Sequence, residues 1–193
     1  PGVERIPSSK KKLSVREVIR ESLRKVAELE KKTGQPILTH LNHPNFQWAV
    51  TAEDIAHVIE EPFFEVYNGH PGIRHLGDKD HPSDERIWDI ANTIRLAELG
   101  APPLFGVATD DSHTYHGGSV SPGRGWVMVR SEKLEGDALI LAMRAGDFYA
   151  SSGVFLDGID FDPKTRELSL KIRPNEDSTF ETQLIGTVGE EIG

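Results

Sequence analysis

Two carboxylates and an imidazole follow an apolar segment near the middle of the chain. Asp110, Asp111 and His113 come after Leu104-Phe105-Gly106-Val107-Ala108. In an extended chain alternate residues point the same way, so Asp111 and His113 can reach one cavity. A carboxylate and an imidazole together suit zinc, manganese or iron. An isolated Asp-x-His is more often a solvated loop with capping Asp residues, but the position after an apolar strand favours a metal site.

Two histidines mark the end of a second apolar segment, Ile37-Leu38-Thr39-His40-Leu41-Asn42-His43. His43 lies beyond the last apolar residue and is followed by Pro44, which makes it the better candidate for a metal ligand. His40 is either a partner of a metal ligand or a core histidine with satisfied hydrogen bonds.

Glu65, Asn68 and Arg124 are further candidates. Glu65 lies between Phe64 and Val66, and it either points outward from a half-buried strand or needs a partner inside a sheet that is covered on both faces. Arg124 belongs to a glycine-rich segment, where it either binds a substrate phosphate or is solvated.

The elements that must position these residues alternate along the chain. Strands alternating with helices predict a parallel sheet, open or closed into a barrel, with the active site at the carboxyl ends of the strands. After Asp157 we expect a small antiparallel β appendage, so the domains are 1–157 and 158–193. Helices are predicted after Ser14, Thr51 and Ser83 and at 137–145, and strands at 37–41, 63–67, 104–108, 126–129, 148–152, 168–172 and 180–185.

Composition narrows the classes of function. The 193 residues include 22 basic and 31 acidic side chains and no cysteine, for a net charge of −9. The negative charge disfavours nucleic acid as the main partner, and a metal must be held by His, Asp or Glu. No apolar run approaches the roughly 18 residues of a membrane span, so no membrane partner is expected. The compartment stays open, with the cytoplasm weakly favoured. No phosphate-binding loop, nucleophile elbow or Cys-His pair occurs, which argues against nucleotide kinases, serine hydrolases and cysteine proteases.

Three segments together resemble a known family. They are Ile-Leu-Thr-His-Leu-Asn-His43-Pro44, Phe-Phe-Glu65-Val-Tyr-Asn68-Gly and Gly-Val-Ala-Thr-Asp-Asp111-Ser-His113. Their order is similar to that of the PHP (polymerase and histidinol phosphatase) superfamily of metal-dependent phosphoesterases, over residues 13–154. The resemblance implies an α/β fold, a distorted (β/α)7-type barrel whose cleft holds two or three divalent ions of zinc, manganese or iron.

The resemblance also implies roles for individual residues. His43 matches the family's His-Pro metal ligand, and Asp111 and His113 match its final Asp-x-His pair, with Asp110 as the alternative carboxylate. Glu65 and Asn68 match a strand end that lines the cleft. The family's opening His-x-His pair does not occur before His40, so the chain resembles the carboxy-terminal half of the barrel. The amino-terminal half is then an expected partner.

The function that this resemblance implies is hydrolysis of a small phosphorylated substrate by metal-activated water. Arg124 would bind the phosphate, and His40 or His116 would transfer a proton. Two alternatives stay open. The same metal site could hydrolyse amides or other esters, because one metal cluster can host several reactions. The chain could also be a non-catalytic half-barrel or pseudoenzyme that serves as a binding module.

Overall fold

The structure is a computed structural model that describes residues 13–186. It contains four α-helices and six strands, and a π-helical turn, Ile94–Glu98, continues α3. The helices are α1 (Val15–Thr33), α2 (Ala52–His57), α3 (Asp84–Thr93) and α4 (Gly136–Arg144). The strands are β1 (Phe63–Asn68), β2 (Phe105–Thr109), β3 (Trp126–Val129), β4 (Phe148–Ser151), β5 (Leu156–Asp162) and β6 (Glu167–Ile172).

The predicted caps set the ends of three helices. Ser14 and Glu17 form a complete capping box at the start of α1, which ends at Gly34 in the left-handed conformation, at φ 70°. The hydroxyls of Thr51 and Ser83 accept the backbone N–H three residues further on, at the starts of α2 and α3. Each hydroxyl satisfies a donor that has no partner inside the helix, so these three sequence predictions are confirmed.

The core lies between the β1–β2 sheet and the helices α2 and α3. Phe64 of β1 and Ala91 of α3 are fully buried, and Ile55 of α2 packs in the same cluster. Full burial of an apolar side chain as large as that of Phe64 or Ile55 stabilises the fold by about 1.5–3 kcal/mol. The packing fixes the position of β1, and therefore of the polar residues at its carboxyl end.

The β1 and β2 strands pair in parallel, from Phe63 opposite Phe105 to Asn68 opposite Thr109. On the other side of β1, Leu41 forms a single parallel bridge to Phe64. Three chain segments therefore run side by side in one direction, and their carboxyl ends meet at one edge. Because the strands are parallel and in this register, the polar residues that follow them lie at the same edge of the sheet.

The predicted distorted (β/α)7-type barrel is wrong. Residues 13–186 form three separate two-stranded sheets, of which only β1–β2 is parallel. The strands of β3–β4 and of β5–β6 pair in antiparallel fashion. A parallel strand beside β2 needs a crossover connection, usually a helix. Residues 110–125 contain no helix, and β3 pairs with β4 instead, so the fold is mixed α/β without a closed barrel.

Two predicted strands are also wrong. Residues 37–40 run beside the sheet without strand pairing, and only Leu41 reaches β1. Residues 180–185 are not a strand, and β6 pairs with β5 instead. The missed β5 carries Leu156, Ile159 and Phe161 among acidic residues, a pattern broken by Gly158. The β5–β6 hairpin is an antiparallel tail of the expected kind, and the domain boundary after residue 157 stays a prediction.

Within residues 13–186, no helix has the length and apolar character that crossing a membrane requires.

Candidate functional site at the ends of β1 and β2

Glu65 is the centre of a hydrogen-bond network at the edge where the parallel segments end. Its side chain is 4% exposed. One carboxylate oxygen accepts the backbone N–H of His43 at 2.7 Å and Nδ2 of Asn68 at 2.9 Å. The other accepts the hydroxyl of Thr109 at 2.9 Å. Of the two interpretations left open by the sequence, Glu65 is therefore the inward-pointing, partnered carboxylate. We call Glu65 with these three donors the Glu65 hub.

Asn68 extends this network to Asp111. Its side chain is fully buried, and Nδ2 also lies 3.3 Å from Oδ2 of Asp111. Oδ1 of Asn68 accepts the backbone N–H of His70 at 2.9 Å. Asp111 has a φ of 49°, in the left-handed region that Asp tolerates better than most residues. A continuous path, Glu65–Asn68–Asp111, therefore joins the ends of β1 and β2.

His113 lies beside Asp111, as the sequence predicts. Its Nδ1 is 2.7 Å from the carbonyl oxygen of Asp111 and 3.9 Å from Oδ1 of the same residue. A carbonyl can only accept, so Nδ1 carries a proton, and in the neutral ring Nε2 is the nitrogen with the lone pair. The His113 side chain is 60% exposed, and its ring meets the ring of His70 with the centroids 5.0 Å apart. His113 can therefore offer Nε2 to a ligand at the protein surface.

His43 and His40 flank Glu65 in different ways. His43 joins the hub through its backbone, while its imidazole packs edge-on against Phe46 at 5.3 Å. Its φ of 22° is unusual for a residue with a side chain. Nδ1 of His40 is buried 3.9 Å from Oε1 of Glu65, and it has no hydrogen-bond partner among the described residues.

The described residues do not by themselves supply enough ligands for two or three divalent ions. Within residues 13–186, no three His, Asp or Glu side chains form a group that could hold a metal ion. Asp111 and His113 come together as a pair, whereas the imidazole of His43 does not join them in a three-donor group. A structural zinc site takes four ligands and a catalytic one three, so a pair is not enough.

Asp110 anchors the glycine-rich loop and Arg124 lies beside it. Oδ1 of Asp110 accepts the backbone N–H groups of Arg124 at 2.6 Å and of Gly125 at 3.0 Å. Nη1 of Arg124 donates to the carbonyl of Gly69 at 2.7 Å, directly after β1. A side chain at position 125 would place Cβ 2.6 Å from the carbonyl oxygen of Thr109, so this close approach requires glycine. His116 is exposed in the same loop.

We expect Asp110→Asn to weaken the anchoring of this loop at neutral pH. Burial raises the pKa of Asp110, but the N–H groups of Gly125, Arg124 and Gly123 and the charge of Arg124 together lower it below its usual value. The stabilisation is present above the unfolded pKa and is lost as the pH falls through the lowered folded pKa. Losing the charge should cost about 1–2 kcal/mol of unfolding free energy near neutral pH.

Urea unfolding of wild type and Asp110→Asn, near neutral pH and near pH 3, measures this effect. The difference between the two proteins should become smaller near pH 3, because the unfolded chain binds a proton at Asp110 before the folded chain does, which reduces the stability that the charge contributes. The exposed Asp160→Asn on β5 is the matched control and should equal wild type at both values. A difference between wild type and Asp110→Asn that does not change with pH would contradict the proposed role of the charge.

Two polar residues of the site were not predicted. Thr109 donates to Glu65 from the last position of β2. Asp84, the first residue of α3, is fully buried, and burial followed by the charge of Glu65 raises its pKa to about 8. The Ser83-Asp84-Glu85 sequence indicates an N-cap followed by a solvated acidic first turn, so nothing in the local sequence indicated burial.

We compared the chain with models of known protein families, with curated proteins and with solved structures, and none of the three comparisons found a match.

Proposed function

We propose that the polar site at the ends of β1 and β2 is part of the active site of a metal-dependent hydrolase that acts on a small phosphorylated substrate. The network Glu65–Asn68–Asp111, with the outward lone pair of His113, is the observation that supports this proposal. It joins the ends of two parallel strands, and the C-terminal ends of such strands are the usual place for active sites in α/β folds.

Arg124 is the proposed phosphate-binding residue. It is partly exposed, and one of its terminal nitrogens is bound to the carbonyl of Gly69. This bond holds the guanidinium close to the end of β1. The remaining N–H donors of the planar group can bind phosphate oxygens in pairs, which a lysine could not do with the same geometry.

His40 is a better candidate than His116 for the proton transfer. Nδ1 of His40 is close to Glu65, at 3.9 Å from Oε1, so its ring lies at the hub. His116 is exposed in the glycine-rich loop. An imidazole beside a carboxylate can accept a proton and return it, as general base and acid.

The metal ions belong to the proposal only with additional ligands. Asp111 and His113 would contribute two donors, His43 would need to turn its imidazole toward them, and a further polypeptide segment would supply the others. When bound, divalent ions would supply an activated water and neutralise phosphoryl charge. We therefore propose a protein segment outside residues 13–186 as the partner that completes the ligand set.

Metal content and hydrolysis, measured together, test this function. The protein is isolated in its natural form with any polypeptide that accompanies it. Bound zinc, manganese and iron are measured by elemental analysis. Hydrolysis is measured with p-nitrophenyl phosphate, p-nitrophenyl acetate and a p-nitroanilide amide. We expect bound metal and preferential cleavage of the phosphoester. Asp111→Asn should lose metal and lower kcat/KM by about 100-fold or more, since the metal supplies the activated water.

The exposed Asp160→Asn is the matched control, and it should keep both metal and activity. Unchanged metal content in Asp111→Asn would overturn the ligand assignment. Preferential cleavage of the amide or the carboxylic ester would replace the phosphoesterase by another hydrolase on the same site. Binding of inorganic phosphate without metal and without hydrolysis of any substrate would overturn the enzyme proposal in favour of a non-catalytic binding module.

A further inference from the structure

Helix α1 has an apolar face that the rest of the described structure covers only in part. None of its 19 residues, all of which lie in the described part of the chain, is buried. Val15 is 36% exposed and Val18 is 42% exposed. In proteins most of the stability of a helix comes from packing of its apolar face rather than from helix propensity. The partial cover of α1 therefore leaves an apolar surface that a further partner can bury.

Ion pairs attach one side of α1 to the rest of the fold. Nε of Arg16 lies 2.8 Å from Oδ1 of Asp54 in α2, and Nη2 of Arg144 in α4 lies 2.7 Å from Oε2 of Glu30. With about 3.6 residues per turn, Arg16 and Glu30 lie on the same side of the helix. The apolar residues that follow Val15 at steps of three and four lie on the neighbouring side, which these ion pairs do not cover.

The spacing of the residues on this neighbouring side is the same in both directions along the helix. From residue 15 the steps are three, four, four and three, so the pattern is symmetrical about Ser22. In a second α1 that runs antiparallel to the first, Val15 faces Leu29, Val18 faces Val26, and Ser22 faces Ser22. We call these five residues the open side of α1: Val15, Val18, Ser22, Val26 and Leu29.

Ser22 suits the centre of such a contact. Its side chain is small, so two helices can approach closely at this point. Its hydroxyl donates to the backbone carbonyl of Val18 at 2.9 Å. Because the hydroxyl donor already has a partner within its own helix, burying Ser22 against another α1 leaves no unpaired donor there.

The charges beside the open side fit an antiparallel copy of the same helix. Glu21 and Lys25 lie one turn apart on the same flank. In the antiparallel arrangement Lys25 of each copy lies near Glu21 of the other, so opposite charges meet on the flank. A parallel copy would bring identical residues to the same level of the two helices. Glu21 also contacts Arg24 of its own helix at 2.6 Å, and this pair does not prevent the contact with the second copy.

We propose that the open side of α1 is a homodimer interface, in which α1 packs against α1 of a second copy in the antiparallel direction about a twofold axis beside Ser22. Such an interface is isologous, because the same surface serves both copies. One helix face is a small surface beside the roughly 1,200–2,000 Å² of stable interfaces, so the dimer should dissociate on dilution. The inference is independent of the proposed hydrolase, because α1 contains none of the residues assigned to that site.

Disulfide cross-linking tests this geometry, because the 193 residues contain no cysteine and each single-cysteine variant of the full chain reports on one position. Dimer formation under mild oxidation is followed on non-reducing gels. Ser22→Cys should link about ten times faster than Glu28→Cys, because only thiols that the interface holds within disulfide distance gain effective concentration. Glu28 is the matched control, since its side chain is 63% exposed and lies away from the open side of the same helix.

Val15→Cys and Leu29→Cys fix the direction of the two helices. In the antiparallel pair, a residue at either position lies about 21 Å along the helix from its own counterpart, so neither variant should link to itself efficiently. A mixture of the two variants should give the mixed dimer. Efficient self-linking of both variants would show a parallel pair and would contradict the proposed arrangement.

Val18→Asp supplies an independent measurement by sedimentation equilibrium. Val18 is 42% exposed, so the substitution should leave the fold intact while it places a charge inside the contact. We expect wild type to associate as its concentration rises and Val18→Asp to remain monomeric over the same range. Equal association of the two proteins would overturn the proposed interface. Ser22→Cys that links no faster than Glu28→Cys would also overturn it, and would leave the open side as a contact for a different polypeptide.

Discussion

Replacing Arg95 by alanine should lower the free energy of unfolding by about 3–5 kcal/mol, because it leaves several buried acceptors without a donor. Arg95 is 1% exposed, and its Nη2 donates to the carbonyls of Ile55, Val58 and Glu61 at 2.8–3.0 Å. These carbonyls lie at the end of α2 and just after it, where a helix has acceptors without internal partners. A cation at this end also interacts favourably with the helix dipole.

Urea unfolding near neutral pH measures the effect of Arg95→Ala. Arg95→Lys should lose less, because an ammonium group can still donate to the carbonyls from the same place. Arg86→Ala is the matched control on α3, since its side chain is 66% exposed and its nearest carboxylate contact, to Asp89, is 3.8 Å long. We expect a change of about 0.5 kcal/mol or less for this surface pair. A similarly small change for Arg95→Ala would show that the bonds to α2 do not stabilise the fold.

Replacing Glu65 by leucine should have an effect of similar size and also disrupt the Glu65 hub. The substitution leaves the donors of His43, Asn68 and Thr109 without an acceptor in a buried site. We expect a loss of about 3–5 kcal/mol of unfolding free energy, because each buried unpaired donor costs about 1–3 kcal/mol before relaxation. The path from Glu65 through Asn68 to Asp111 should also be lost, with increased mobility of residues 110–125.

Glu65→Gln separates hydrogen bonding from charge. The amide oxygen can accept the two N–H donors, and the amide nitrogen can donate to the hydroxyl of Thr109. This variant should therefore keep more than half of the stability that Glu65→Leu loses. Amide hydrogen exchange at positions 43, 68 and 109, together with urea unfolding, measures both effects. Glu53→Gln, exposed at the start of α2, is the control. Equal losses in Glu65→Gln and Glu65→Leu would mean that the charge, rather than the three bonds, holds the hub together.

Local sequence was sufficient for the helix starts and for the Asp111–His113 pair. Ser14, Thr51 and Ser83 accept N–H groups within their own first turn, so tertiary contacts are not needed to identify them. Asp111 and His113 are two residues apart directly after β2, and their proximity follows from that spacing. The same applies to the short strands rich in Val, Phe, Tyr and Trp, of which β1, β2, β3 and β4 lie within one or two residues of the predicted bounds.

Strand pairing, by contrast, was decided by the tertiary structure. The alternation of strands and helices predicted parallel neighbours up to residue 157, and of the described strands in that range only β1 and β2 pair in this way. The direction of β3 depends on the path of residues 110–125. The local sequence of a glycine-rich loop does not determine that path. The failure to form a strand at residues 37–40 has the same cause, since pairing depends on a partner that is distant along the chain.

The roles of Glu65, Asp110 and Asp84 show the same division within the site. The sequence identified Glu65 and Asp110 as candidates. Only the packing showed that Glu65 accepts three hydrogen bonds and that Asp110 binds the backbone of the glycine-rich loop. Asp84 looked like a solvated first-turn acid, because burial depends on what covers a side chain. By itself, the sequence determined which polar residues follow the apolar strands, since spacing is local. Only the tertiary structure decided which of them meet, because hydrogen bonds and charges act between segments that are far apart in the chain.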